Sequence, residues 1–170
     1  MSRAALKMLA LDEVWWVVSP QNPLKPVDGM APFERRLAEA ERVTAKDPRI
    51  IISDVEAQLG TRYTADTLAH LVSSSPGDHF VWLMGADNLS QIHRWRDWSR
   101  IFSIVPVAVF GRPGYSMRAT SSVAARRFAR DRWPQGAAKR LVDADLPAWV
   151  FLKIREHSQS ASKIRAQGGF

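Results

Sequence analysis

Residues 80–89 read Phe-Val-Trp-Leu-Met-Gly-Ala-Asp-Asn-Leu: five apolar side chains running without a polar break into a glycine and an acid. A run that short and that apolar has strand character, and a strand with no polar face suits cover on both sides, as in a parallel sheet. Val14–Val18 (Val-Trp-Trp-Val-Val) reads the same way, and Arg49–Ser53, Val105–Phe110 and Trp149–Leu152 give three more short runs. Helical patterns lie between them. One starts with Pro32 in its first turn and runs from Phe33 towards Lys46; a second runs from Thr64, as N-cap, to Ser73. A third covers Asp87–Phe102, broken near Trp95, and a fourth Ala119–Arg130. Strand–helix alternation implies right-handed crossovers and an α/β, doubly wound parallel sheet, expected as one domain over residues 1–170. Ligands of such folds sit outside the carboxyl ends of the strands, so the loops there are where chemistry is sought.

Composition narrows the class. With 46% hydrophobic and 24% charged residues the 170-residue chain has a globular balance, which excludes general disorder. The absence of cysteine excludes disulfides, thiolate metal sites and a cysteine nucleophile. No apolar run is long enough for a membrane helix, and Met1-Ser2-Arg3-Ala4-Ala5-Leu6-Lys7 reads as an amphipathic helix, not a signal peptide. A soluble, cytoplasmic protein is expected. The net charge of +7 is uneven. Residues 1–66 are nearly neutral, whereas the densest basic stretch, Arg112 to Arg140, contains Arg118, Arg126, Arg127, Arg130, Arg132 and Lys139. That field favours anionic partners. Nucleic acid is the weaker candidate because aromatics do not interleave with the patch as a stacking platform would.

Five loops follow the strands. Ser19-Pro20-Gln21-Asn22-Pro23-Leu24-Lys25-Pro26 is held extended by its prolines and offers an amide, Asn22, and a cation, Lys25. Gly60-Thr61-Arg62-Tyr63-Thr64 opens a helix whose first N–H groups are free to meet an anion. Gly85 lets a ligand approach the backbone, Asp87 is placed to accept ribose hydroxyls, and Trp95 offers a face for a flat heterocycle. Gly111-Arg112-Pro113-Gly114-Tyr115 presents a guanidinium. Ser158-Gln159-Ser160-Ala161-Ser162-Lys163-Ile164-Arg165 combines hydroxyls, cations and a helix start, all suited to phosphate oxygens.

In order and spacing, Pro20…Asn22-Pro23-Leu24-Lys25, Tyr63-Thr64-Ala65-Asp66-Thr67-Leu68, Gly85-Ala86-Asp87-Asn88-Leu89 with Trp95, Arg112-Pro113-Gly114-Tyr115 and Ser160-Ala161-Ser162-Lys163-Ile164-Arg165 resemble the nicotinate-nucleotide adenylyltransferases. These are nucleotidyltransferases with a Rossmann-like fold, and the resemblance runs from about residue 9 to residue 166. The last motif matches an SxTxxR-type phosphate motif, with Ser162 where threonine is commoner. The resemblance implies adenylyl transfer from ATP to nicotinate mononucleotide, giving deamido-NAD and pyrophosphate, with Mg²⁺ accompanying ATP. It implies that Trp95 stacks on the pyridine ring, that Tyr63 and Thr64 receive the nicotinate carboxylate, and that Gly85 and Asp87 meet the ribose. Asn22 belongs with these acceptor contacts. Ser160, Ser162 and Arg165 would hold ATP phosphates, with Lys25 and Arg112 adding charge around the transferred phosphate.

The family opens with a strand and a GGxFxPxHxGH segment whose two histidines stabilise the phosphate under attack. The sequence begins after that point, and His70, His79, His93 and His157 form no HxGH pair. No catalytic residue of that kind is visible. The expectation is a sheet lacking its first, central strand, between Val14–Val18 and Phe80–Met84, with Met1 a misassigned start and little activity in the chain as given. Two alternatives stand beside this reading. One is a related nucleotidyltransferase acting on nicotinamide mononucleotide or phosphopantetheine. The other is a non-catalytic remnant that binds nucleotides or nucleic acid.

Overall fold

The computed structural model describes residues 1–20, 30–111 and 114–154. Eight short helices and six parallel-paired strands alternate among them. Helix α1 (Ser2–Met8) leads into strand β1 (Val14–Val17); α2 (Phe33–Thr44) precedes β2 (Ile50–Ser53). Helices α3 (Val55–Leu59) and α4 (Thr64–Ser74) precede β3 (Trp82–Gly85). Helix α5 (Ala86–Gln91), a 3-10 turn (Ile92–Arg94) and α6 (Trp98–Ile104) lead to β4 (Val107–Phe110). Helices α7 (Ser116–Thr120) and α8 (Val123–Arg127) precede β5 (Arg132–Trp133), and a 3-10 stretch (Gln135–Asp143) precedes β6 (Trp149–Leu152).

Every strand pair is parallel, as the apolar runs require. The strands form two sheets: β1 beside β2, and β3-β4-β6-β5 in that order. The interruption falls between β1 and β3, where the resemblance places a central strand. A slot of about 720 Å³ occupies it, walled by β1 side chains such as Trp15 and Trp16 and by Phe80, Val81, Trp82 and Leu83. Trp15 closes one side, edge-on to Phe80 with ring centroids 6.0 Å apart.

Helices cover both faces of the larger sheet. Met84, Val107, Val109, Trp149 and Phe151 pack with Leu68, Leu89, Ile101, Phe102 and Phe128 on one side. On the other, Ala108, Phe110, Val150 and Leu152 meet Ala5, Leu6 and Leu9 of α1, together with Val14 and Leu141. Alternate residues of one strand therefore feed opposite cores, which is what a strand without a polar face is for. Trp149 is the anchor. Its side chain is buried, and its indole N–H donates to the Phe128 carbonyl at 2.7 Å.

Several sequence expectations need correction. The Val-Trp-Trp-Val run is not covered on both faces: Trp15 is 38% exposed and its cross-strand partner Ile51 39%. β3 begins at Trp82, two residues after the expected Phe80, and β4 at Val107, because Pro106 has no N–H to give to the ladder. Ala119–Arg130 is not one helix. It breaks at Ser121–Ser122, where the Ser122 hydroxyl caps α8 by accepting from the Ala125 N–H at 3.2 Å. α3 and β5 were not expected at all, being too short to show a period. The break near Trp95 is present: Asp97 takes a left-handed conformation (φ 50°) and starts α6.

Candidate active site

Within each sheet all strands run the same way, so their carboxyl ends line one edge, and the five loops of the sequence reading follow those ends in the chain. Three of them lie wholly or partly outside the described residues. Asn22, Lys25, Arg112, Ser160, Ser162 and Arg165 are among those residues, so the structure does not place them. Tyr63, Thr64, Gly85, Asp87 and Trp95 are described.

The stem of the first loop is held by a residue the sequence reading passed over. Arg36 of α2 donates from Nη1 to the Ser19 carbonyl (2.7 Å), from Nη2 to Pro20 (2.8 Å) and from Nε to Ala31 (3.1 Å). One guanidinium fork thus ties both ends of residues 21–29 to the carboxyl end of β1. In sequence it reads as one more charge on a polar helix face.

After β2 the chain makes α3 and turns at Gly60, which takes the left-handed conformation (φ 63°) open to glycine, before α4 begins. Thr64 is not the N-cap. Tyr63 is, in an extended conformation, and its carbonyl accepts from the N–H groups of Asp66 (3.0 Å) and Thr67 (3.1 Å). The Thr64 hydroxyl is therefore not spent on capping. Among the described residues the main-chain N–H groups of Thr64 and Ala65 have no acceptor, leaving two donors and the positive end of an 11-residue helix at this edge.

A buried carboxylate braces that helix start. Glu56 of α3 is 7% exposed, and its Oε1 accepts from the Thr67 hydroxyl at 3.2 Å. The Thr67 oxygen lies equally close to the Tyr63 carbonyl, and the Glu56 carbonyl accepts from the Thr61 N–H at 3.1 Å. Glu56 thus ties α3, the turn and α4 together. No spacing signal marks it, since an isolated acid reads as surface by default.

The third loop follows β3. Gly85 caps α5 with ordinary extended backbone (φ −80°), so a left-handed turn is not what requires glycine there. Asp87 sits half-buried in the first turn of α5, two residues after the end of β3. Trp95 ends the 3-10 turn in extended conformation, packed by part of its surface against the core. The next residue, Arg96, reaches across to the second loop: its guanidinium lies 4.6 Å from the Tyr63 ring centroid, with Arg62 at 5.9 Å. Arg100 pairs with Asp66 at 3.8 Å. The Tyr63–Thr64 and Trp95 loops are thereby joined by cation–π and ionic contacts.

Helix-start amides without an acceptor, an acid near a strand end, a part-buried indole and arginines are groups suited to binding by position and charge. Residues 1–167 match the cytidylyltransferase-like family. The chain belongs to that family. Its relatives include a Roseobacter denitrificans protein named "Probable nicotinate-nucleotide adenylyltransferase", 51% identical over 99% of this chain and 84% of its own length. A Cereibacter sphaeroides protein of the same name is 51% identical over 98% of this chain and 87% of its own. Among solved structures, a Plasmodium falciparum nicotinic acid mononucleotide adenylyltransferase complexed with NaAD shares the fold. Its TM-score is 0.63 at 15% identity, over 92% of this chain and 69% of that one.

The arginine-rich second half divides in this family member. Arg118, Arg126 and Arg130 are exposed on the surface. Arg127 lies over Trp98 (5.7 Å) and Phe128 (5.8 Å), and Arg132 over Trp149 (5.2 Å) and Phe151 (5.8 Å). Those two are exposed as well, and differ in having their guanidinium groups over aromatic rings. Among the described residues no helix is long and apolar enough to cross a membrane.

Proposed function

We propose that this chain serves adenylyl transfer from ATP to nicotinate mononucleotide, yielding deamido-NAD and pyrophosphate, with residues 1–170 acting as one nucleotidyltransferase-like domain. The carrying observation is the pair of unpartnered N–H groups at Thr64 and Ala65, opening a helix beside Tyr63 and linked through Arg96 to Trp95. A helix start of this kind suits a carboxylate, and a half-buried indole suits the pyridine ring. Asp87 takes the ribose hydroxyls, with Gly85 at the strand end beside it, and Asn22 completes the acceptor contacts. Ser160, Ser162, Arg165 and Lys25 hold the ATP phosphates, with Arg112 nearby.

The chemistry asks little of side-chain nucleophiles. The acceptor's phosphate attacks the α-phosphorus of ATP and pyrophosphate leaves, so the protein contributes alignment and charge. Mg²⁺ enters as part of the MgATP substrate, held largely by phosphate oxygens and water, as its preference for such ligands allows.

The test is calorimetric binding of nicotinate mononucleotide and of MgATP to the chain and to Trp95→Ala, together with pyrophosphate release. Loss confined to the mononucleotide supports the assignment. Equal loss of both ligands makes Trp95 a packing residue, and a preference for phosphopantetheine replaces the acceptor.

A further inference from the structure

We propose that Glu56 is a positioning residue for the acceptor, acting through Thr67 to aim the free amides at the start of α4. This rests on the acceptor-site reading above and adds to it the group that fixes the geometry of the site. The amides of Thr64 and Ala65 belong to the first turn of α4, so their direction follows the Tyr63 peptide that caps it. The Tyr63 carbonyl accepts from the Asp66 and Thr67 N–H groups, and the Thr67 hydroxyl lies 3.2 Å from it. That hydroxyl lies 3.2 Å from Glu56 Oε1 as well, and its single proton serves only one of the two acceptors. A carboxylate accepts more strongly than a peptide carbonyl, so the proton goes to Glu56.

Two helices are thereby linked at one point. Glu56 stands on α3, is buried, and its other oxygen, Oε2, is enclosed with no hydrogen-bond partner among the described residues. The bond from Thr67 is thus the polar link from its side chain to α4. Its main-chain carbonyl holds the Thr61 N–H at 3.1 Å, just past the turn at Gly60, so one residue fastens both ends of the connection between α3 and α4. With the carboxylate removed, the hydroxyl turns to the Tyr63 carbonyl, which leaves α4 capped but no longer tied to α3. The helix survives, and the direction of its first amides is freed. A misalignment of this kind falls on ligand binding more than on folding.

The experiment titrates the full chain with nicotinate mononucleotide and with MgATP. It compares the unaltered protein with Glu56→Ala, Glu56→Gln, Thr67→Val and the double variant Glu56→Ala/Thr67→Val, with melting curves as the folding control. We expect Glu56→Ala and Thr67→Val each to weaken the mononucleotide about tenfold and to leave MgATP within about twofold. Thr67→Val carries the same comparison if Glu56→Ala does not stay folded. Glu56→Gln, which still offers Thr67 an oxygen, should stay within about threefold of the unaltered protein. Because both single changes cut one link, the double variant should bind the mononucleotide no worse than Glu56→Ala alone. Equal weakening of both ligands, no change for either, a glutamine variant as weak as alanine, or additive losses overturns the positioning role while leaving the acceptor site standing. Failure of the unaltered chain to bind the mononucleotide overturns the site reading itself, and this assignment with it.

Discussion

Val14–Val17 and Trp149–Leu152 are almost the same sentence in residue language, Val-Trp-Trp-Val and Trp-Val-Phe-Leu, yet the fold treats them differently. All four residues of β6 are buried, whereas in β1 only Val14 is. The difference lies in the neighbours. β6 has β4 on one edge and β5 on the other, with helices over both faces. β1 has β2 on one edge and the slot on the other, and the face carrying Trp15 and Ile51 is partly open. Burial is a property of the position in the sheet, and an apolar strand only declares that it can accept it.

That contrast is open to direct attack by mutation. Trp149→Ala should be the most damaging change, costing about 3–5 kcal/mol, chiefly through the cavity it leaves, since the Phe128 carbonyl keeps the Asp131 N–H. Trp15→Ala, in the same kind of run, should cost about 1 kcal/mol, since the ring is already partly in water and loses mainly its edge contact with Phe80. Urea titrations of both variants check this, and comparable losses would dissolve the distinction between the two sheets.

Glu56→Ala should come next, at about 1–3 kcal/mol, because the Thr67 hydroxyl and the α3–α4 brace lose their buried partner. Glu56→Gln, which keeps an acceptor oxygen, should recover much of the loss. If glutamine is as damaging as alanine, the charge itself matters and the brace is ionic.

Arg36→Ala should cost about 1 kcal/mol globally, since the fork is only half-buried, yet accelerate amide exchange around residues 18–20 and 30–31. It sharpens the comparison by testing whether the β1 side is ordered by its loop tether rather than by core packing. The smallest effect should come from Arg42. Its guanidinium donates to Glu39 across an exposed turn of α2 and holds that carboxyl below its ordinary value. A lowered acid stabilises above its unfolded pKa and loses that contribution as pH falls through the folded one. Because the pair is fully exposed, Arg42→Ala should leave the melting temperature unchanged while the Glu39 carboxyl, followed by NMR, titrates at higher pH.

Much of the architecture was legible without coordinates. The parallel α/β sheet followed from continuous apolar runs, since these suit strands covered by crossover helices better than a half-exposed meander. The break at Trp95 was legible too, because the helical period fails there. Short elements were not: α3 spans five residues and β5 two, below the length at which periodicity can speak. Among the proposed site residues, Thr64, Asp87 and Trp95 stand out in the sequence because their residue types and strand-end positions carry a chemical meaning. Arg36, Glu56 and Arg96 were missed because each acts on a partner distant in sequence. Arg36 reaches back 16 and 17 residues to Pro20 and Ser19, Glu56 forward 11 to Thr67, and Arg96 crosses from one strand-end loop to another.

The sequence by itself determined the strand and helix alternation and the parallel pairing of the strands, because these depend on local propensity and on the apolar period. Only the tertiary structure decided which apolar strand is buried, that Tyr63 rather than Thr64 caps α4 and so leaves the threonine hydroxyl uncommitted, and which of the exposed arginines lie over aromatic rings. Those outcomes depend on which groups meet in space and on how much water is left between them, and side-chain identity alone does not specify either.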